Sequence, residues 1–333
     1  MTVDDALKAL NHILQEEGLS ADDASVTANV LVEGTIRGYH NHGVDRIFQI
    51  LDGFQNKTLN PSPCAKKIKD LPAVSVIDAD HGLGQPIGVD AMRLAIEKAK
   101  TLGMGAVHVL NAGHLGILSF YAELASKEDL FGIVMSNTSP AVVLPGTGKK
   151  YIGTNPICYS VPTNLSFPLT ADFSTATVSR GTLLEYKEKN KNIPIGWAVD
   201  EHGQDTDNPA AALLGGLKCL EGGHKGFSIS LLVGLLTGCL VSGSMPDEVK
   251  GTRYMTSAPN KGDLFMAFSI ELLGDLAQFK DNMTKFYQDL HQYESAYRFP
   301  GERAYHHKKD QNNAIQLTSK VWQLLSEASC YEC

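Results

Sequence analysis

His42 and Arg46 lie in the stretch Tyr39-His40-Asn41-His42-Gly43-Val44-Asp45-Arg46, an imidazole and a guanidinium four positions apart. A helix begun near Gly43 would carry both on one side, because residues four apart are neighbours on a helix surface. The planar guanidinium holds a carboxylate through two parallel hydrogen bonds, and the imidazole exchanges a proton near neutral pH. Reduction of a 2-oxo acid needs both groups at one spot. A core histidine beside a solvated arginine would show the same spacing, so the pair alone leaves both readings open.

The elements that must position this pair begin with helices. Val3, Ala6, Leu7, Leu10, Ile13 and Leu14 recur at helical spacing, Ser20 offers a cap for a second helix to about Arg37, and a third runs from about Val44 to Phe54. From Leu71 the pattern turns to short β-rich runs at 73–77, 106–110, 131–135 and 156–161, with helical segments between some of them. Leu264, Met266, Phe268 and Ile270 alternate as in a strand, a charged helical pattern follows over 273–293, and one more helix is expected at 315–326. Helices at both ends around a sheet region predict an α/β protein with two parts: a helical subdomain from 1–68 and 290–333, and an α/β cofactor-binding domain at 69–289.

With 333 residues, 43% hydrophobic and 20% charged, the chain has the composition of a folded globular protein long enough to bury a deep site. Its net charge of −8 argues against nucleic acid as a partner, since neutralising phosphates takes a basic face. The start, Met1-Thr2-Val3-Asp4-Asp5, lacks the pattern of a secretory signal, so a cytoplasmic protein is expected. The longest apolar run, Phe227 to Gly243, is short for a bilayer span and interrupted by serine and glycine; it reads as a buried helix, with no membrane partner. Cysteines stand at 64, 158, 219, 239, 330 and 333. Their scatter argues against a disulfide framework, and Cys330-x-x-Cys333 lacks the second pair that a zinc site requires, so no metal is expected.

A strand-like 74–78 leads into Gly82-Leu83-Gly84-Gln85-Pro86-Ile87-Gly88, which looks like a phosphate-cradling turn under a helix. The spacing is G-x-G-x-x-x-G, however, and no acid closes the next strand to hold a ribose hydroxyl; Asn111 and His114 follow it instead. A tight structural turn is the competing reading.

Further loops place polar groups beside glycine or proline: 111–116 (Asn-Ala-Gly-His-Leu-Gly), 153–156 (Gly-Thr-Asn-Pro), 169–174 (Leu-Thr-Ala-Asp-Phe-Ser) and 222–227 (Gly-Gly-His-Lys-Gly-Phe). Together with His42-Gly43-x-x-Arg46, Ile193 to Asp200 and Arg298-Phe299-Pro300-Gly301-Glu302, and lying along the chain in the family's order, they make nearly the whole chain resemble the type 2 malate/L-lactate dehydrogenase family, which includes sulfolactate and ureidoglycolate dehydrogenases and 2,3-diketo-L-gulonate reductase. The resemblance implies a homodimeric oxidoreductase using NAD or NADP on a non-Rossmann mixed sheet, and it makes the turn at Gly82 structural. His42 matches the family's proton donor, Arg46 the carboxylate contact, and His114 a second histidine that takes the acid/base role in some members; the choice between the imidazoles stays open. Thr138, the segment Pro168, Leu169, Thr170, Ala171, Asp172, Phe173 and Ser174, the pair Lys225 and Gly226, and the run Gly301, Glu302 and Arg303 match cofactor contacts. Read from the residues alone, Asp172 could equally cap a helix, Lys225 be an exposed charge and Glu302 a solvated turn residue.

Asn41 departs from the serine that many relatives carry before the first histidine, which leaves the substrate's identity open. The implied reaction is hydride exchange with C2 of a small 2-hydroxy or 2-oxo acid, malate-like or lactate-like. The alternatives are reduction of a cyclic imino acid or a diketo sugar acid, and an inactive metabolite-binding protein on the same fold.

Overall fold

The computed structural model describes residues 1–294, 296–311 and 313–329; Cys330 and Cys333 lie outside the described residues. The chain opens with α1 (Val3–Glu16) and α2 (Ala21–Ile36). Thr2 and Ser20 cap them, each accepting a hydrogen bond from the amide three residues on, Asp5 and Asp23. Aspartates in both first turns add favourable charge at the positive helix ends. Two single 3-10 turns, His40–His42 and Val44–Arg46, precede α3 (Ile47–Gln55), so the single helix expected from Val44 to Phe54 begins three residues late. His42 and Arg46 therefore sit on separate turns with Gly43 between them.

The middle of the chain runs β1 (Lys66–Asp70), β2 (Val74–Asp78), α4 (Gly84–Leu102), β3 (Met104–Leu110), α5 (Ser119–Ser126), β4 (Leu130–Ser136), β5 (Val142–Val143), β6 (Lys150–Ile152), β7 (Ile157–Val161) and β8 (Leu169–Phe173). Then come α6 (Arg180–Glu188), β9 (Ala198–Val199), α7 (Pro209–Leu214), β10 (Gly216–Leu217), α8 (His224–Thr237) and β11 (Gly262–Ser269). The chain closes with α9 (Ile270–Leu273), α10 (Leu276–Tyr293), α11 (Glu302–Asp310) and α12 (Ser319–Ser329).

A seven-stranded mixed sheet has the order β1-β2-β3-β11-β4-β7-β8, and a smaller four-stranded one the order β6-β5-β10-β9. In the large sheet β2 and β3 are parallel, joined by α4, and every other neighbouring pair is antiparallel. The late strand β11 lies at the centre, with Leu264 opposite His108 on one side and Met135 on the other.

Three apolar clusters hold these layers together. Ile77, Val89, Met92, Val107, Val109, Tyr121 and Phe265 join α4 and α5 to the large sheet. Leu10, Leu14, Leu31, Ile47, Val321 and Leu325 join α1, α2 and α3 to α12, so both ends of the chain share one core. Val142, Ile152, Leu183, Ala198 and Leu217 fill the space around the small sheet. Each such side chain fully buried stabilises by about 1.5–3 kcal/mol, and together they fix the loops between layers. A bidentate ion pair joins the first two layers: Arg37, just past α2, donates to both carboxylate oxygens of Glu123 on α5, at 2.6 and 2.8 Å.

The apolar run after Phe227 is not the buried helix expected from its composition. Gly226, Ser230, Val233, Gly234 and Thr237 of α8 face inward, but Ile229, Leu232 and Leu235 are 43%, 50% and 41% exposed. The small residues take the close approach to the sheet and leave the larger apolar ones uncovered. By length and hydropathy His224–Val241 could cross a membrane, yet Ser230 bonds inward, its carbonyl accepting from Asn155 Nδ2 at 2.9 Å.

Gly82 to Gly88 is a packing turn. A Cβ on Gly84 would stand 2.4 Å from the Gly113 carbonyl oxygen, and one on Gly88 would stand 2.8 Å from the Tyr121 ring. The glycines let the start of α4 press against the loop that carries His114.

Candidate active site

A cavity of about 250 Å³ opens where the three layers meet. Its wall includes His42, Arg46, His114, Thr138, Asp172, Phe173 and Ser174 from among the residues singled out in the sequence.

The turn bearing His42 and Arg46 is moulded onto α2. The Val44 amide donates to Thr35 Oγ1 at 2.9 Å, and a Cβ on Gly43 would lie 2.1 Å from that oxygen, so the His-Gly spacing is a steric requirement. The Arg46 guanidinium donates through Nε to the Asn41 carbonyl at 2.7 Å and through Nη1 to the Gln49 amide oxygen, whose nitrogen in turn donates to the Thr252 carbonyl at 3.1 Å. These neutral partners orient Arg46 and leave its charge uncompensated. Burial and the nearby Arg253 push it down to about 10.

The His42 and His114 rings stack at 5.3 Å between centroids, 17° from parallel. His114 Nδ1 accepts the Gly116 amide at 2.9 Å, so the neutral ring carries its proton on Nε2. His42 Nδ1 is buried with no hydrogen-bond partner among the described residues. Burial first, then Arg46 and Arg253, push His42 down to about 3; burial and the same cations hold His114 well below the ordinary histidine range. Both imidazoles are neutral at pH 7 in the ligand-free protein.

Asp172, at the end of β8, accepts the Ser119 amide at 2.9 Å and so caps the first turn of α5; burial raises its pKa. The capping alternative open in the sequence thus has its geometry, while the residue also borders the cavity. Thr138 Oγ1 accepts the Thr154 amide at 2.9 Å. Leu169, Thr170 and Ala171 are buried in β8, and Pro168 precedes that strand; none of the four is on the cavity wall. Lys225 is exposed in the first turn of α8 and Gly226 is buried beside it. Gly301 packs on the Thr170 carbonyl, and Arg303 is exposed. Glu302 is buried and bonded to Tyr287, His291 and the Phe299 amide, which gives it a structural role at the start of α11 in place of the solvated turn position.

The cavity also holds residues that the sequence reading passed over: Arg180, Arg253 and Lys261. Lys261 is 1% exposed and pairs with Asp263, its pKa lowered by burial against the pull of that carboxylate. Two charges at the mouth of the apolar alternation in β11 were the available signal for it. Asn41 sits against Gly181: a Cβ there would stand 2.6 Å from its amide. The longer side chain in place of serine is accommodated because position 181 has none.

The malate/L-lactate dehydrogenase family model matches residues 1–326. A malate/(S)-sulfolactate dehydrogenase of Methanothermus fervidus is 37% identical over 316 residues, covering 95% of this chain and 93% of the relative. A (2R)-3-sulfolactate dehydrogenase (NADP(+)) of Chromohalobacter salexigens is 29% identical, with 92% and 91% covered. The solved sulfolactate dehydrogenase of Methanocaldococcus jannaschii superposes with a TM-score of 0.91 at 34% identity, covering 100% of this chain and 96% of that one. With the match running over nearly its whole length, the chain belongs to the malate/L-lactate dehydrogenase family.

Proposed function

We propose that the protein is an NAD(P)-dependent dehydrogenase interconverting a small 2-hydroxy acid and its 2-oxo acid, malate-like or lactate-like, in the cavity lined by His42, Arg46 and His114. One observation carries this reading: a guanidinium with no carboxylate partner among the described residues shares a small cavity with two stacked, neutral imidazoles.

The residues present suit a nicotinamide dinucleotide. The cavity lies just below the usual range of about 300–1,000 Å³ for small-ligand sites, a size for the reacting ends and not for a whole dinucleotide. Thr138, Phe173 and Ser174 border it. Beyond it, α8 starts at Gly223 without a side-chain cap, so its first-turn amides and the exposed Lys225 suit a pyrophosphate, with Pro168 to Ala171, Gly226 and Gly301 to Arg303 as the supporting frame. When bound, the nicotinamide supplies or accepts the hydride at C2.

Arg46 fixes the substrate carboxylate and so orients C2. His114, its tautomer set by the Gly116 amide, donates from Nε2 to the substrate oxygen and stabilises negative charge there. His42, with no competing partner on Nδ1, carries the proton: neutral, it accepts from the hydroxyl in oxidation; protonated, it donates to the oxygen in reduction. Lys261 lines the same cavity with its charge paired to Asp263.

The same reading keeps the two-part division at 1–68 with 290–333 and 69–289, which the shared core of α1 and α12 supports, and a non-Rossmann cofactor sheet, which the predominance of antiparallel pairs supports. It keeps a homodimer, for which the uncovered face of α8 is a candidate surface, and a cytoplasmic location, which suits the four free described cysteines. The deciding assay follows nicotinamide absorbance with NADH and NADPH in turn against pyruvate, oxaloacetate and a cyclic ketimine. Oxidation driven by a 2-oxo acid is expected; turnover only with the ketimine favours an imino acid reductase, and none with any of the three leaves a binding protein.

A further inference from the structure

Arg46 is one of three guanidiniums on the cavity wall, and one suffices for a single carboxylate. Arg180 opens α6, placed there by the Ser179 cap, which accepts the Thr182 amide at 3.1 Å. It lies 5.5 Å over the Tyr254 ring and donates to the Tyr254 hydroxyl at 3.2 Å, which fixes this guanidinium on the cavity wall. Arg253 follows Thr252, whose hydroxyl pairs with Ser139 at 2.7 Å. The Nε atoms of both Arg180 and Arg253 are buried without a hydrogen-bond partner, and neither arginine forms an ion pair among the described residues. The acid on the wall, Asp172, is committed to the first turn of α5.

The cavity is therefore short of negative charge by more than one unit. A monoanion on Arg46 would leave two partly desolvated guanidiniums uncompensated, an arrangement that costs free energy unless the bound molecule supplies further charge. Asn41, packed against Gly181 next to Arg180, adds an amide donor to that part of the cavity wall.

We infer that Arg180 and Arg253 form a second anion subsite, and that the enzyme selects 2-oxo and 2-hydroxy acids bearing a second carboxylate or sulfonate over monoanions of similar size. This rests on the proposed function, since it takes Arg46 as the site of the first carboxylate.

The test uses the full-length protein and the variants Arg180→Gln, Arg253→Gln and Arg253→Lys. Steady-state kcat/KM is measured for pyruvate, oxaloacetate and 3-sulfopyruvate at constant ionic strength. The wild type is expected to prefer the dianions by about 100-fold or more, each glutamine variant to cut that ratio at least tenfold through the dianion KM, and lysine to recover part of it. Oxaloacetate against sulfopyruvate then tells carboxylate from sulfonate. An unchanged ratio, or a rise in the KM for NAD(P)H in place of the dianion KM, overturns the subsite. A second arm needs no turnover: malonate and sulfoacetate are expected to raise Tm by about 2 °C or more beyond acetate in the wild type, with the excess lost in Arg253→Gln. If no acid is reduced but this excess is seen, the hydride chemistry fails and the subsite stands; if the excess is absent, the subsite falls.

Discussion

Changing the pH separates a histidine held neutral by its surroundings from an ordinary one. With His42 pushed down to about 3 by burial and by the cations Arg46 and Arg253, only about one free enzyme in a thousand carries the proton at pH 6 and about one in a hundred thousand at pH 8. Because kcat/KM reports the free enzyme, reduction of the 2-oxo acid should fall about tenfold per pH unit, roughly 100-fold from pH 6 to pH 8. Oxidation needs the neutral ring, which is already present, so its kcat/KM should be flat from about pH 5 to 8. The assay is initial rate in both directions at subsaturating acid and fixed ionic strength, read at the nicotinamide absorbance. A reduction plateau below about pH 6.5, or an acid limb near that value in oxidation, would mean that the imidazole titrates normally and that the cationic, desolvated environment does not govern it.

His42→Ala should lower kcat by about two to four orders with cofactor binding nearly intact, while Arg46→Ala should mainly raise the KM for the carboxylate substrate; near-normal turnover of His42→Ala would move the proton to His114. Gly181→Ala should lose activity because its methyl would stand 2.6 Å from the Asn41 amide, and adding Asn41→Ser should restore it, so additive losses in the double variant would contradict the contact. Glu123→Ala removes the bidentate link between α2 and α5 but leaves Arg37 on Glu33, and should cost about 1.5–3 kcal/mol in urea unfolding; a change under about 0.5 kcal/mol would show the pair to be dispensable.

Periodicity carried the helices of the first sixty residues and the strand at β11 because their apolar faces repeat at 3.6 and 2 residues. It could not carry the break at Gly43, where α2 leaves no room for a Cβ and the chain divides into two 3-10 turns. It also could not tell which face of α8 would be covered, since glycine and serine on the inward face leave the larger apolar residues outside. His42, Arg46 and His114 were legible as a cluster through glycine-flanked spacing. Arg180 and Arg253 were not, because each reaches the cavity from a segment whose local pattern describes only its own turn, while Lys261 was marked only by the charges at the start of the β11 alternation. The capping of α5 by Asp172 joins residues 53 apart and leaves no sequence signature.

The most direct measurement is a crystal structure of the protein with NAD or NADP and oxamate, an unreactive isostere of pyruvate. The account predicts the oxamate carboxylate on Arg46 and its amide oxygen within hydrogen-bond distance of the His114 Nε2 and the His42 ring, with the nicotinamide against C2. Oxamate or nicotinamide bound outside this cavity, with His42 and Arg46 touching neither, would contradict it.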